Sequence, residues 1–130
     1  MSVIGLTYLQ SLQESLHNLF AQDELIYLIG EDLRDPDGGA FKVSRGLSTL
    51  HPSRVLNTPI SEAAVVGVAI GMALRGLKPI VEIMFGDFLT LATDQIINHL
   101  VKFRSMYGNA VRVPLVIRTP MGGRRGYGPT

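Results

Sequence analysis

Two hydrophobic periods alternate along the chain. Between Gly5 and Ala21, Leu6, Leu9, Leu12, Leu16, Leu19 and Phe20 recur at steps of three and four, with Gln10, Gln13, Glu14, His17 and Asn18 opposite them. That spacing predicts an amphipathic first helix. Leu25-Ile26-Tyr27-Leu28-Ile29 is a continuous apolar run closed by Gly30, the pattern of a strand covered on both faces, as in parallel sheets. Residues 33–52 contain Asp35-Pro36-Asp37-Gly38-Gly39, where proline and glycine favour turns, so a long surface loop is expected. Arg54 to Asn57 offers a short strand and Thr58-Pro59 a helix start, followed by a helix over Ser61 to Leu77. Pro79 to Met84 reads as a third strand. From about Asp87 to Ser105 a helix with two faces is predicted, polar along Asp87, Thr90, Asp94, Asn98, Lys102 and Ser105, and apolar along Leu89, Ala92, Ile96, Leu100 and Phe103. Val113 to Arg118 makes a fourth strand and Gly122 to Gly128 a glycine-rich basic loop. Strands alternating with helices predict an α/β fold, a parallel sheet flanked by helices. The chain stops in that last loop with no covering helix, which reads as one domain, residues 1–130, cut from something longer.

Composition narrows the function classes. Of 130 residues, 46% are hydrophobic and 18% charged, enough apolar surface to offset the entropy of ordering. Twelve Lys and Arg against eleven Asp and Glu leave a formal charge of +1, so no strong field draws nucleic acid or an anionic membrane. With no cysteine, disulfides, thiolate chemistry and cysteine metal sites are excluded. The N-terminus lacks a signal-peptide pattern, and the most apolar stretch, Ala63 to Leu74, is shorter than the roughly 20 residues a bilayer span needs. A cytoplasmic protein is the expectation.

In open parallel sheets, ligands bind where loops leave the carboxyl ends of strands. Four places qualify: Glu31-Asp32, Thr58 to Glu62, Met84 to Phe88, and Thr119 to Thr130. Glu62 opens a helix whose next twelve residues carry no charge. It is either a carboxylate at an apolar margin that can share a proton with a ring nitrogen, or an acid that offsets the helix dipole in water. Phe85 and Phe88 could stack on a flat heterocycle or simply fill core. Gly67 and Gly71 permit close helix packing, inside the domain or across a subunit boundary. Arg124 and Arg125 suit a carboxylate or phosphate, or are solvated loop charge. His17, His51 and His99 show no metal-ligand spacing, and neither a G-x-S-x-G nor a G-x-G-x-x-G occurs.

Four strings carry a resemblance: GEDLRDPDGGAFKVSRGL, RVLNTPISEAAVVGVAIGMALRGLKPIVEIMFGDF, DQIINHLVKFR and VPLVIRTPMGGRRGYGPT. In this order they resemble the pyrimidine-binding domain of the beta subunit of thiamine-diphosphate-dependent 2-oxo acid dehydrogenases of the pyruvate, branched-chain and acetoin type. The resemblance implies that Glu62, in TPISE, bonds the aminopyrimidine ring nitrogen and promotes the tautomer that deprotonates the thiazolium carbon. It implies that Phe88 stacks on the ring, that Met84 lines the pocket and that Glu31 lies beside Glu62. The implied chemistry is decarboxylation of a 2-oxo acid and acyl transfer to a lipoyl group on an acyltransferase core. Magnesium and the diphosphate would lie on an alpha subunit, so this chain needs no metal ligands. Members of that family continue past GYGPT into a histidine-containing stretch and a second domain. This chain by itself is therefore expected to be inactive, and its uncovered sheet edge to favour self-association. Two other readings stay open: a non-catalytic assembly module held through Gly67, Gly71 and the Ser61 to Leu77 helix, and a transketolase-like thiamine enzyme.

Overall fold

The computed structural model describes residues 5–122. Its centre is a four-stranded sheet of β1 (Ile26–Gly30), β2 (Val55–Asn57), β3 (Lys78–Glu82) and β4 (Val116–Arg118), in the order β2-β1-β3-β4. Every neighbouring pair is parallel, so all four carboxyl ends share one edge. The expected α/β architecture is therefore present. The last residues of the strands form one row across the sheet, because Gly30 pairs in register with both Asn57 and Glu82, and Glu82 with Arg118.

Helix α1 (Tyr8–Gln22) starts three residues later than its apolar period suggests. Thr7 caps it: its hydroxyl accepts from the Gln10 N–H, while the Gln10 side chain accepts from the Thr7 N–H, a reciprocal arrangement that satisfies two otherwise free donors. Leu16 and Phe20 of α1 pack with Ile26, Leu28, Val55 and Ile80 on one face of the sheet. On the other face α3 (Glu62–Leu74) places Val65, Val66, Ala69 and Ile70 against Ile29 and Val81. Alternate residues of β1 thus enter opposite cores, as a strand covered on both sides requires.

Residues 33–52 depart from the expected surface loop. They wind through turns into a short helix, α2 (Leu47–Leu50), and bury Leu33, Val43 and Leu47 in the α1-side core. Asp35 makes this possible. It accepts hydrogen bonds from the N–H groups of Gly46 (2.7 Å) and Thr49 (3.1 Å) and from the hydroxyls of Ser48 and Thr49 (both 2.7 Å). One side chain thereby does what a backbone ladder does elsewhere.

The predicted helix over 87–105 is three windings in series: a 3-10 segment Gly86–Ala92, a π segment Gln95–Leu100 and α4 (Val101–Tyr107). The hydroxyls of Thr90 and Thr93 donate to the carbonyls three residues back, Asp87 (2.8 Å) and Thr90 (2.6 Å), which favours tight winding first. The wider π turn then departs in the opposite sense, so both predicted stripes keep their alignment. Asp94, Asn98 and Lys102 form a hydrogen-bonded ladder outside, while Ala92, Leu89, Ile96 and Phe103 pack inward. Strand β4 begins only at Val116, later than expected. Pro114 has no N–H to give a ladder, although Val113 and Leu115 still pack on the core.

The donors around Asp35, led by the Gly46 N–H, hold its carboxyl far below the usual carboxylate range. A depressed pKa contributes stability above the unfolded value that is lost as pH falls through the folded one. Asp35→Ala should lower unfolding stability at pH 7 by about 1–2 kcal/mol. Denaturant titrations at several pH values should show that deficit shrinking below about pH 4.

Candidate functional site

Chain connections leave β1 and β3 in opposite directions at their carboxyl ends. After β1 the chain turns onto the α1 face, where Leu33 and Leu47 are buried; after β3 it turns onto the α3 face, where Leu89 and Ala92 pack. A crevice opens at such a switch point and is the usual ligand position in open α/β sheets. Gly30 keeps its floor narrow: a Cβ there would come within 2.5 Å of the Glu82 carbonyl oxygen. The rim of β2 is tied in as well, since Thr58 N–H donates to the Gly30 carbonyl (2.9 Å) and Asn57 Oδ1 accepts from the N–H groups of Leu33 (2.8 Å) and Arg34 (2.9 Å).

Three of the four sequence-level candidates meet at this edge. Glu31 follows β1, Glu62 opens α3, and Met84 and Phe88 follow β3. The fourth, the glycine-rich stretch, leaves β4 at the same edge, but Arg124 and Arg125 lie outside the described residues. Glu62 is only 6% exposed, not a solvated acid of a first helical turn. Glu31 is half-buried and its carboxyl is pushed above the usual range, first by desolvation and then by the negative charges of Glu62 and Asp32. The two acids are thus close enough to couple. Phe88 is 39% exposed and Met84 partly buried, which leaves an aromatic surface uncovered on the segment that follows β3. Phe85 meets Phe41 edge-on at 6.4 Å.

The glycines of α3 divide in role. A Cβ at Gly67 would sit 3.3 Å from Gln95 Oε1, so that position serves internal packing, whereas Gly71 has open space above it. An apolar cleft of about 200 Å³ between Thr58, Pro59, Ser61 and Val68 lies along the same outer side of α3. A larger cleft, of about 590 Å³, beside Arg104 and Arg112 includes neither acid. His17 pairs with the Arg45 carbonyl (3.0 Å) and His51 with Arg54 (2.8 Å), so both have structural partners. Among the described residues, no three His, Asp or Glu are grouped to hold a metal, and no helix is long and apolar enough to cross a membrane.

Residues 5–130 match the transketolase pyrimidine-binding domain. The chain belongs to that family. Among relatives of this pyrimidine-binding domain, the pyruvate dehydrogenase E1 component subunit beta of Leifsonia xyli is 42% identical over 95% of this chain and 37% of its own length. A 3-methyl-2-oxobutanoate dehydrogenase subunit beta of Mycobacterium tuberculosis is 38% identical over 92% of this chain and 34% of its own. The acetoin:2,6-dichlorophenolindophenol oxidoreductase subunit beta of Cupriavidus necator is 39% identical over 86% and 36%. The chain spans about a third of the length of these relatives.

Sequence reasoning missed four structural residues: Asp35, Asn57 and the pair Glu82 and Arg118. Glu82 had a visible signal, an acid inside the apolar run Ile80-Val81-Glu82-Ile83-Met84. Asn57 had none, because its work is a contact with residues 24 and 23 positions earlier.

The raised pKa of Glu31 sets a sign for stability. Such a group favours folding below its unfolded value, and the benefit is lost as pH rises through the folded one. Glu31→Gln, permanently neutral, should unfold at a temperature a few degrees above the wild type at neutral pH. The difference should vanish in acid, which scanning calorimetry across pH would show.

Proposed function

We propose that this domain supplies the aminopyrimidine-holding half of a thiamine diphosphate site in the beta component of a 2-oxo acid dehydrogenase. The observation that carries the reading is the Glu62 carboxyl group, buried at the head of α3 and near enough to Glu31 for its charge to act on that acid. The names of the relatives support the enzyme class. When bound, thiamine diphosphate supplies the decarboxylation chemistry, and the protein's share is to orient and polarise it.

Glu62 is the catalytic residue on this reading, accepting from the protonated ring nitrogen and holding that proton. Glu31, whose carboxyl is pushed upward by burial and by the charges of Glu62 and Asp32, would help Glu62 hold the ring. Phe88 offers its exposed face for stacking and Met84 its flexible thioether against the ring edge. Burial of Glu62 at the switch point would limit water around the hydrogen bond it makes to the ring nitrogen.

The outer side of α3, with Gly71 open and Val68 exposed, is where an alpha subunit would seat, bringing the diphosphate site and its magnesium ion. Acyl transfer to the lipoyl group of an acyltransferase core completes the assignment, in a cytoplasmic setting.

Thiamine diphosphate with magnesium, titrated calorimetrically into the whole protein assembled with an alpha subunit, should bind. Glu62→Gln should reduce 2-oxo acid decarboxylation on the order of 10²- to 10⁴-fold. Binding and turnover unaffected by Glu62→Gln would contradict the reading and favour a non-catalytic assembly module.

A further inference from the structure

Glu82 is an acid in the middle of the sheet, 3% exposed, and the chemistry assigned to Glu31 and Glu62 does not use it. Its carboxylate joins three pieces of chain. Arg118 Nη2 of β4 lies 2.9 Å from Oε2, the Ala40 N–H donates to the carboxylate, and Gly39 passes so close that a Cβ there would stand 2.8 Å from Oε1. Gly39 has φ +78°, a left-handed conformation that glycine adopts without strain. Position 39 therefore needs glycine twice, for its backbone and for the room it leaves the acid.

The same two pieces of chain grip β3 again just beyond Glu82. Ile83 N–H donates to the Arg118 carbonyl (3.0 Å) and Gly86 N–H to the Pro120 carbonyl (3.2 Å), so the exit of β4 runs along the segment. On the other side Phe41, next to Ala40, meets Phe85 edge-on. Residues 83–86 are thus held between two walls whose common tie is the Glu82 carboxylate. A buried ion pair is a poor source of stability compared with apolar residues of equal volume, but it fixes geometry.

We propose that Glu82, through its ion pair with Arg118 and its bond to Ala40, is a positioning residue that sets the segment from Met84 to Phe88 against the cofactor's aminopyrimidine. The proposal rests on the thiamine diphosphate reading above. Glu82 touches no substrate; it acts through Met84 and Phe88. Burial pushes its carboxyl above the usual range, against the pull of Arg118, so loss of Arg118 can be met by taking up a proton. The opposite loss leaves a buried guanidinium with no counter-charge.

The test uses the whole protein assembled with an alpha subunit, titrated with thiamine diphosphate and magnesium, together with amide hydrogen exchange. In Glu82→Gln the dissociation constant should rise on the order of tenfold at unchanged stoichiometry. Amides of residues 84–90 should exchange faster while those of β1 keep their protection. A merely structural role would instead lower the number of competent sites at an unchanged dissociation constant and expose β1 amides; that result overturns the proposal. Should Glu82→Gln fail to fold, Arg118→Gln is read in the same way. Absence of binding by the unsubstituted protein, or full binding by Glu62→Gln, sinks the thiamine reading and this proposal with it. Normal binding in the wild type, loss in Glu62→Gln and no change in Glu82→Gln sink the positioning role alone.

Discussion

The close approach of β1 and β3 at Gly30 and Glu82 is the constraint on which the carboxyl edge depends. Only a residue without a side chain lets the two strands converge there, since a Cβ on Gly30 would overlap the Glu82 carbonyl. From that pinch the chain diverges to opposite faces. It leaves a crevice whose walls begin at the very next residues, Glu31 on one side and Ile83 and Met84 on the other. The helix that crosses over β1 to reach β3 then delivers Glu62 to the same place. A parallel sheet of four short strands is enough to bring together groups more than fifty residues apart.

Burial and charge at this edge oppose stability. Burial and the charges of Glu62 and Asp32 raise the cost of ionising Glu31, and Glu82 is desolvated more fully still. None of the three acids is what a sequence optimised for folding alone would place there. The compensation is spread over the rest of the domain. Two apolar cores sandwich the sheet, Asp35 organises an otherwise irregular segment, and Arg54 donates to the carbonyls of Phe20 (2.8 Å) and Asp23 (2.9 Å) while lying over the Phe20 ring. Cost concentrated at one edge and stabilisation elsewhere is the expected signature of a working site.

Much of this was legible in the sequence wherever a periodic pattern or a strand end carried the information. The apolar runs placed β1 and β3 to within one or two residues; the rule that loops at strand ends bind ligands marked the stretches Glu31-Asp32, Thr58 to Glu62 and Met84 to Phe88, and the resemblance picked Glu31, Glu62, Met84 and Phe88 out of them. The uncharged stretch after Glu62 allowed either a buried or a solvated acid, and the fold decides for burial. What stayed hidden depends on contacts between distant residues. The segment 33–52 looked like surface because its turn formers are local signals, whereas its burial depends on Asp35 meeting donors eleven to fourteen positions away. The split winding of 86–107 was invisible because a tight turn followed by a wide one preserves the stripes of a uniform helix. Gly71 and Gly67 looked alike and differ only in what faces them.

The coupling of Glu31 to Glu62 can be measured directly, through the side-chain carboxyl carbon resonances of Glu31 followed by NMR over a pH titration, in the wild type and in Glu62→Gln. Glu31 should titrate above the usual glutamate range in both proteins, and lower in the variant than in the wild type, because burial persists while the neighbouring charge is gone. Titration in the ordinary range, with no response to Glu62, would mean that the two acids share no crevice and would contradict the placement of the site.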